Sequence, residues 1–249
     1  MASRRIPPRT TQPMTMPKGL RINNETQEVD LDRPVTLVQC PDDAEKLIVK
    51  IARVSNQKNE NNWATGPKLL KFLIDHKHWS PFEHSFLTVR ISTELDIASQ
   101  ICRHRSFTFS QFSYRYAKTT RAAVPHFRVQ DTKNRQASHD TLHPEIQASA
   151  HDCAESVIDQ AFNIYERMLE QGVALETARR ILPVCSPTTL YMSGTLRSFL
   201  HYVLVRTDPS TQYEHRVIAE EIKKILIWKF PITSEAMGWQ DETISPDCS

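Results

Sequence analysis

The residues best suited to chemistry lie in one stretch, Arg103-His104-Arg105-Ser106-Phe107-Thr108-Phe109-Ser110-Gln111-Phe112-Ser113-Tyr114-Arg115-Tyr116. Arginines, a histidine and serines alternate there with aromatic rings. Guanidinium groups grip phosphates and carboxylates bidentately and keep their charge at any physiological pH. Aromatic side chains beside them can flank a planar ring. The stretch therefore reads as a floor for anionic, ring-bearing ligands. A merely solvated basic loop would leave those aromatics exposed without function.

Other blocks add functional groups. His78-Trp79-Ser80-Pro81-Phe82-Glu83-His84 is dense in polar side chains held by one proline. His78 and His84 do not have the i, i+4 spacing of a helical metal pair, and no cysteine is near them in sequence, so no metal is expected. Arg179 and Arg180 close a short segment before Pro183, where cations can complement a helix dipole or hold a ligand. Arg197 and His201 are i, i+4 and share a helix face, and Arg206 ends the same segment. Charged groups in so apolar a helix need partners.

The elements that position these groups follow from periodicity. Pro34 to Cys40 reads as a strand, followed by a helix with Ala44, Leu47, Ile48, Ile51 and Ala52 on one face. Gly66-Pro67 opens a second helix on Leu69, Leu70, Leu73 and Ile74. Phe86, Thr88 and Arg90 alternate with Leu87, Val89 and Ile91 in a strand. Thr93-Glu94-Leu95-Asp96 resembles a cap with the Thr93 hydroxyl as N-cap, and the helix behind it delivers Gln100, Arg103 and His104 to its far end. Residues 118–151 show no periodicity and are expected to be disordered or to contact a partner subunit. From Cys153 a helix carries Ala154, Val157, Ile158, Ala161, Phe162, Tyr165, Met168 and Leu169 on one stripe and ends at Gly172. A short helix at Leu175 to Leu182, an extended run at Thr188 to Ser193, a helix at Thr195 to Arg206 and a last helix from about Thr211 to Trp228 complete the pattern. The expected organisation is a disordered basic tail at 1–33, one catalytic domain at 34–230 and a C-terminal tail at 231–249.

Composition narrows the function. The 249 residues are 39% hydrophobic, enough for a sizeable core. With 31 Lys+Arg against 29 Asp+Glu the formal charge is only +2, so the arginine cluster is local and a nucleic-acid-coating surface is not expected. The 5 cysteines are odd in number and form no C-x-x-C pair, which argues against a disulfide framework and for a reducing, cytoplasmic setting. No apolar run approaches the roughly 20 residues of a membrane span, and the Pro- and Thr-rich start lacks the apolar segment of a secretion signal.

Five separated blocks then match one pattern. Arg103-His104-Arg105, followed after an x7 gap by Ser113, resembles the signature of the flavin-dependent thymidylate synthases. The order of Ala52-Arg53-Val54-Ser55, Pro81-Phe82-Glu83-His84, the signature, Arg179-x-x-Leu182-Pro183 and Leu196-Arg197-Ser198 with Arg206 extends the resemblance from about Val35 to Trp228. The resemblance implies an α+β chain, an antiparallel sheet flanked by helices, assembled as a homotetramer whose active sites draw on more than one subunit. It implies FAD, NADPH as reductant and methylenetetrahydrofolate as one-carbon donor, with dUMP converted to dTMP. Positions matching flavin contacts are Ser55, His78, Ser80, Glu83, Arg103, His104, Arg105, Ser110, Thr195, Arg197 and His201. Those matching nucleotide contacts are Gln100, Gln111, Phe112, Ser113, Tyr114, Arg115, Arg179 and Arg206. Ser113 is expected to hydrogen-bond the nucleotide and Arg206 to polarise its base, with no enzymic nucleophile, since Phe112 and Tyr114 offer Ser113 no general base.

Two departures bear on the ligands, Gln111 on the nucleotide and Ser110 on the flavin. Gln111 stands where many members carry Glu, and its amide both donates and accepts, which permits dCMP beside dUMP. Retention of Gln100, Ser113, Arg115, Arg179 and Arg206 favours dUMP. Ser110 stands where many members have Asn and can still bond a phosphate or sugar. The competing functions are a relative that methylates or hydroxymethylates dCMP, or hydroxymethylates dUMP, and a single-strand nucleic-acid binder using the same arginines and aromatics.

Overall fold

Strand alternation organises the centre of the molecule. In the computed structural model, which describes residues 34–239, Phe86–Glu94 form β2. β2 lies between β1 (Val35–Gln39) and β6 (Pro187–Thr195), and β3 (Thr108–Gln111) completes an antiparallel sheet of order β1-β2-β6-β3. β2 and β6 pair without a break from Phe86↔Thr195 to Glu94↔Pro187. Leu87, Val89, Ile91, Leu190 and Met192 are buried on one face, whereas Phe86 and Tyr191 on the other are exposed.

Helices cover the buried face, giving the expected mixture of helix and antiparallel sheet. They are α1 (Ala44–Ala52), α2 (Gly66–Asp75), α3 (Leu95–Ile101), α6 (Leu196–Arg206), α7 (Tyr213–Lys229) and α8 (Pro231–Ala236). Ile48, Leu70, Phe82, Ile97, Phe199, Ile222 and Leu226 join the strand residues in one core. A second cluster forms where α4 (Pro144–Glu170) packs Ile158, Phe162 and Tyr165 against Ala122 and against Ala178 of α5 (Leu175–Ala178). Gly172 ends this region at φ 84°, a left-handed conformation open to glycine, and the Val173 amide reaches back to the Met168 carbonyl at 2.9 Å. Among the described residues no helix is long and apolar enough to cross a membrane.

The structure corrects several expectations. Thr93 is not an N-cap: it stays in β2 opposite Thr188, because the ladder with β6 runs on to Glu94. The first α3 amides instead donate to backbone carbonyls, Leu95 to Ser186 at 3.1 Å and Asp96 to Val184 at 3.2 Å. α1 buries Val49 and leaves Leu47 exposed. α4 starts at Pro144 and not at Cys153, its first turns carrying no apolar stripe, and Val157 faces solvent. Residues 118–143, the first part of the polar excursion, are neither featureless nor detached. A small hairpin of β4 (Val129–Gln130) and β5 (Ser138–His139) is docked by Arg128, which grips the Glu214 carboxylate of α7 at 2.7 and 2.9 Å. Residues 231–239, read as the start of a tail, form α8 and its end, with Thr233, Ser234 and Trp239 buried. The tails at 1–33 and 240–249 lie outside the described residues.

One close approach is testable. A Cβ on Gly194, in β6, would lie 2.5 Å from Cδ1 of Phe107, a ring buried edge-on against Phe199 at 4.8 Å. Gly194→Ala is expected to lower stability by roughly 1–3 kcal/mol through overpacking, read as a lower urea midpoint at unchanged slope. A midpoint equal to wild type would contradict this packing.

Candidate active site

Because β2 and β6 are antiparallel, α3 and α6 leave the sheet from opposite ends and run back over it. α6 is capped by Thr195, whose Oγ1 accepts from the Ser198 amide at 3.2 Å. Its last residue, Arg206, meets the residue that follows α3 and its turn: Arg206 Nε donates to His104 Nε2 at 2.8 Å. Accepting at Nε2 requires a neutral imidazole with its proton on Nδ1. Burial first, then the charge of Arg206 and the proximity of His201, hold His104 down to about 4, so it is neutral at physiological pH.

Behind this pair lies a buried polar chain. The Tyr202 ring stands edge-on to His104 at 4.9 Å, and its hydroxyl lies 3.0 Å from Nε2 of His215, which is fully buried. His215 Nδ1 faces Gln100 Oε1 at 3.4 Å, and Gln100 Nε2 donates to Gln212 Oε1 at 2.7 Å. Burial, with Arg206 and His104 nearby, lowers His215 to about 3.

A cleft of about 500 Å³ opens along the exposed face of α6, lined by Trp79, Glu83, Ser106, Thr195, Arg197 and His201 among others. The shared face expected for Arg197 and His201 is thus the wall of a cavity. Arg197 is ion-paired to Glu83. Ser198 and Thr195 share a hydroxyl contact of 3.1 Å at the start of α6. Arg103 and Arg105 are exposed and form no ion pair among the described residues. Arg197, Trp79 and the N-terminus of an eleven-residue helix suit a ligand with a planar ring and a pyrophosphate, whereas Arg103 and Arg105 do not line the cleft within one chain.

A second, more open hollow of about 460 Å³ is lined by Ser113, Arg115, Tyr116, Ala174, Leu175 and Glu176. Arg115 pairs with Glu176 at 3.2 Å. The wall is firm because the buried Tyr114 hydroxyl donates to the Pro187 carbonyl and the Phe112 amide to Thr189 O at 2.8 Å. Gln111 Nε2 donates to Thr188 Oγ1 at 3.3 Å, and Arg179 is half-buried just after α5.

Single-chain geometry does not gather every expected residue. Ser55 follows α1 in an exposed loop, His78 sits exposed near Phe72 and His76, Ser80 starts a turn, and Ser110 lies opposite Tyr191 on the open face of the sheet. Arg53, beside Ser55, is buried and structural: its guanidinium binds the Asn59 carbonyl at 2.9 Å and Thr65 Oγ1 at 2.7 Å. Sequence reasoning missed Tyr202, His215 and Gln212, and it missed Glu94, which burial, Asp96 and Glu214 push up to about 7. Only the polar interruption of an apolar helix at His215 could have signalled the chain.

The chain is similar to known proteins along most of its length. The family described as thymidylate synthase complementing protein matches residues 36–232. A protein of Paramecium bursaria Chlorella virus 1 named "Probable flavin-dependent thymidylate synthase" is 44% identical over 212 residues, covering 85% of this chain and 97% of the relative. A flavin-dependent thymidylate synthase of Synechocystis is 41% identical over 212 residues, 85% of this chain and 98% of that one. Among solved structures, a UMP/dUMP methylase from Streptomyces cacaoi bound with 5-Br dUMP superposes with a TM-score of 0.73 at 27% identity, covering 82% of this chain and 93% of that one.

The two lowered histidines make a signed prediction. Their folded values lie below the ordinary value of about 6.5, so between pH 6.5 and about 4 the unfolded chain binds more protons and acid weakens the fold. Glu94, held up to about 7, acts in the opposite sense over an overlapping range, so the total slope is not diagnostic. The difference between variants is. The loss of stability in His215→Gln, measured by urea unfolding, is expected to be larger at pH 7.5 than at pH 4.5. An equal loss at both would show that His215 is not held neutral.

Proposed function

From the premise that this chain belongs to the flavin-dependent thymidylate synthase family, we propose how its residues divide the work. The enzyme is a methyltransferase that converts dUMP to dTMP, with FAD as cofactor and NADPH and methylenetetrahydrofolate as co-substrates. When bound, FAD supplies the reducing equivalents for the new methyl group. Glu83, Thr195, Arg197 and His201 hold it along the α6 cleft, with Arg103, His104, Arg105 and Ser110 from the signature segment. Ser55, His78 and Ser80 complete the set. Ser80 lies in the turn that carries Glu83 at the cleft, whereas Ser55 and His78 do not line it within one chain, which supports a homotetramer whose sites are shared between subunits. Phe86 and Tyr191, exposed on the open face of the sheet, supply apolar surface for such contacts.

The nucleotide is assigned to Ser113, Arg115 and their neighbours, with Arg179 and Arg115 for its phosphate and Gln100 and Arg206 toward its base. The Streptomyces relative's complex with a 5-bromo dUMP supports a pyrimidine nucleotide. Gln111 donates one amide hydrogen to Thr188 and keeps a second N–H and its carbonyl oxygen, so it permits either base, and the retained Gln100, Ser113, Arg115, Arg179 and Arg206 are what favour dUMP.

The observation that carries this reading is the Arg206–His104 hydrogen bond, which joins the signature to the end of α6. It occupies only Nε and leaves both Nη groups of Arg206 without a partner among the described residues, free to polarise the pyrimidine. No side chain attacks the base: Ser113 is flanked in sequence by Phe112 and Tyr114, neither a general base, and burial pushes the Cys102 and Cys185 thiols up, away from thiolate. Arg206→Ala is expected to retain FAD and lose roughly 10²–10³-fold in dTMP formation, the scale of losing one preorganised charge partner. Retained turnover would refute the role of Arg206, and mass-spectrometric trapping of a covalent adduct between the nucleotide and Ser113 or a cysteine would refute the non-covalent mechanism.

A further inference from the structure

The chain Gln212–Gln100–His215–Tyr202 belongs to neither hollow, yet it contains Gln100, assigned to the nucleotide, and its Tyr202 end packs against His104, which holds Arg206. His215 and Tyr202 have no accessible surface, and Tyr202 is part of the main core. A polar group in such a place weakens the fold unless every donor and acceptor is matched. Here they are matched in one direction. Tyr202 donates to His215 Nε2 at 3.0 Å, His215 Nδ1–H faces Gln100 Oε1 at 3.4 Å, and Gln100 passes its amide hydrogen to Gln212 at 2.7 Å. Burial raises the Tyr202 phenol well above its ordinary range, so its proton stays in place as the donor. At the other end, the same Tyr202 ring and that of His215 pack edge-on against His104, at 4.9 and 6.2 Å, fixing the imidazole that receives Arg206.

We propose that His215 and Tyr202 are positioning residues: a buried relay that fixes the amide orientation of Gln100 on one side and the seat of Arg206, through His104, on the other. It rests on the reading that Gln100 and Arg206 act on the nucleotide. Neither residue touches ligand itself. An apolar pair would fill the same volume, but it would leave Gln100 free to turn its amide over and so confuse donor with acceptor at the base. Because neither Tyr202 nor His215 lines the α6 cleft, and Tyr202→Phe keeps the ring against His104, loss of the hydroxyl should separate the two half-reactions.

The test uses the FAD-loaded enzyme and three variants. Tyr202→Phe removes one hydroxyl and keeps the ring on His104; His215→Gln still donates and accepts; His215→Leu does neither. Read out are FAD content, NADPH oxidation without nucleotide, and KM and kcat for dUMP. Tyr202→Phe is expected to keep wild-type FAD content and NADPH oxidation while KM for dUMP rises about five-fold or more, the scale of one net hydrogen bond. His215→Gln should retain more dUMP affinity than His215→Leu. Unchanged dUMP kinetics in Tyr202→Phe and His215→Leu would overturn the relay. So would FAD content, NADPH oxidation and dUMP affinity falling together, or Leu serving as well as Gln, since packing alone would do that. If His215→Leu gives no soluble holoenzyme, Tyr202→Phe decides alone by the same criteria. Arg206→Ala separates the readings: dTMP formation intact there removes the assignment of Arg206, whereas formation lost there with wild-type dUMP kinetics in Tyr202→Phe removes only the relay.

Discussion

The pairing of β2 with β6 is the constraint on which the site depends. Side chains on a strand alternate faces, so a slip of one residue would turn Leu87, Val89 and Ile91 toward solvent and Arg90 into the core. The unbroken register from Phe86↔Thr195 to Glu94↔Pro187 therefore fixes where α3 and α6 begin, at opposite ends of one ladder. At about 1.5 Å of rise per residue, helices starting from opposite ends of a short sheet travel toward each other, and their last turns meet. The contact of Arg206 with His104 is the product of that geometry, joining residues far apart in sequence without any loop designed for the purpose.

Electrostatics then decides what the meeting point can do. His104 lies between cationic side chains and is neutral because burial and Arg206 both disfavour its charge. Arg206 is thereby held by an acceptor that does not cancel its charge, as a carboxylate would. The arginines at the rims are treated differently, Arg197 resting on Glu83 and Arg115 on Glu176 in exposed pairs. Exposed pairs contribute little to stability, so a phosphate can take over such an arginine at small cost. Among the described residues, Arg206 thus meets a neutral acceptor while Arg197 and Arg115 rest on partners they can exchange, within a chain of formal charge +2.

Legibility followed the physics of each segment. β2 was readable because one face is buried and the other open, and the grouping of Arg197 with His201 because i, i+4 spacing has only one geometric outcome. Thr93 misled because its side chain suits a cap, yet the ladder with β6 holds the backbone extended one residue further. The first turns of α4 were invisible because Pro144 to Asp152 bury almost nothing, and α8 was missed because Pro231 ends one helix and begins another at its first position. His215 and Tyr202 were unreadable for a deeper reason. A buried histidine and tyrosine satisfied by each other require two helices to be docked first, and no local spacing records that docking. Ser55, His78 and Ser80 carry a family motif, but the space they complete depends on neighbours outside their own chain under the proposed assembly.

The central claim is that reduction and one-carbon transfer to dUMP occur at these residues through a bound flavin. The most direct measurement supplies dUMP, methylenetetrahydrofolate and NADPH to the FAD-loaded protein and to the same protein stripped of flavin, and identifies the nucleotide product by mass spectrometry. The expected result is dTMP from the loaded protein, none from the stripped protein, and recovery on adding FAD back. Formation of dTMP without flavin, or consumption of dCMP in preference to dUMP by the loaded protein, would contradict it.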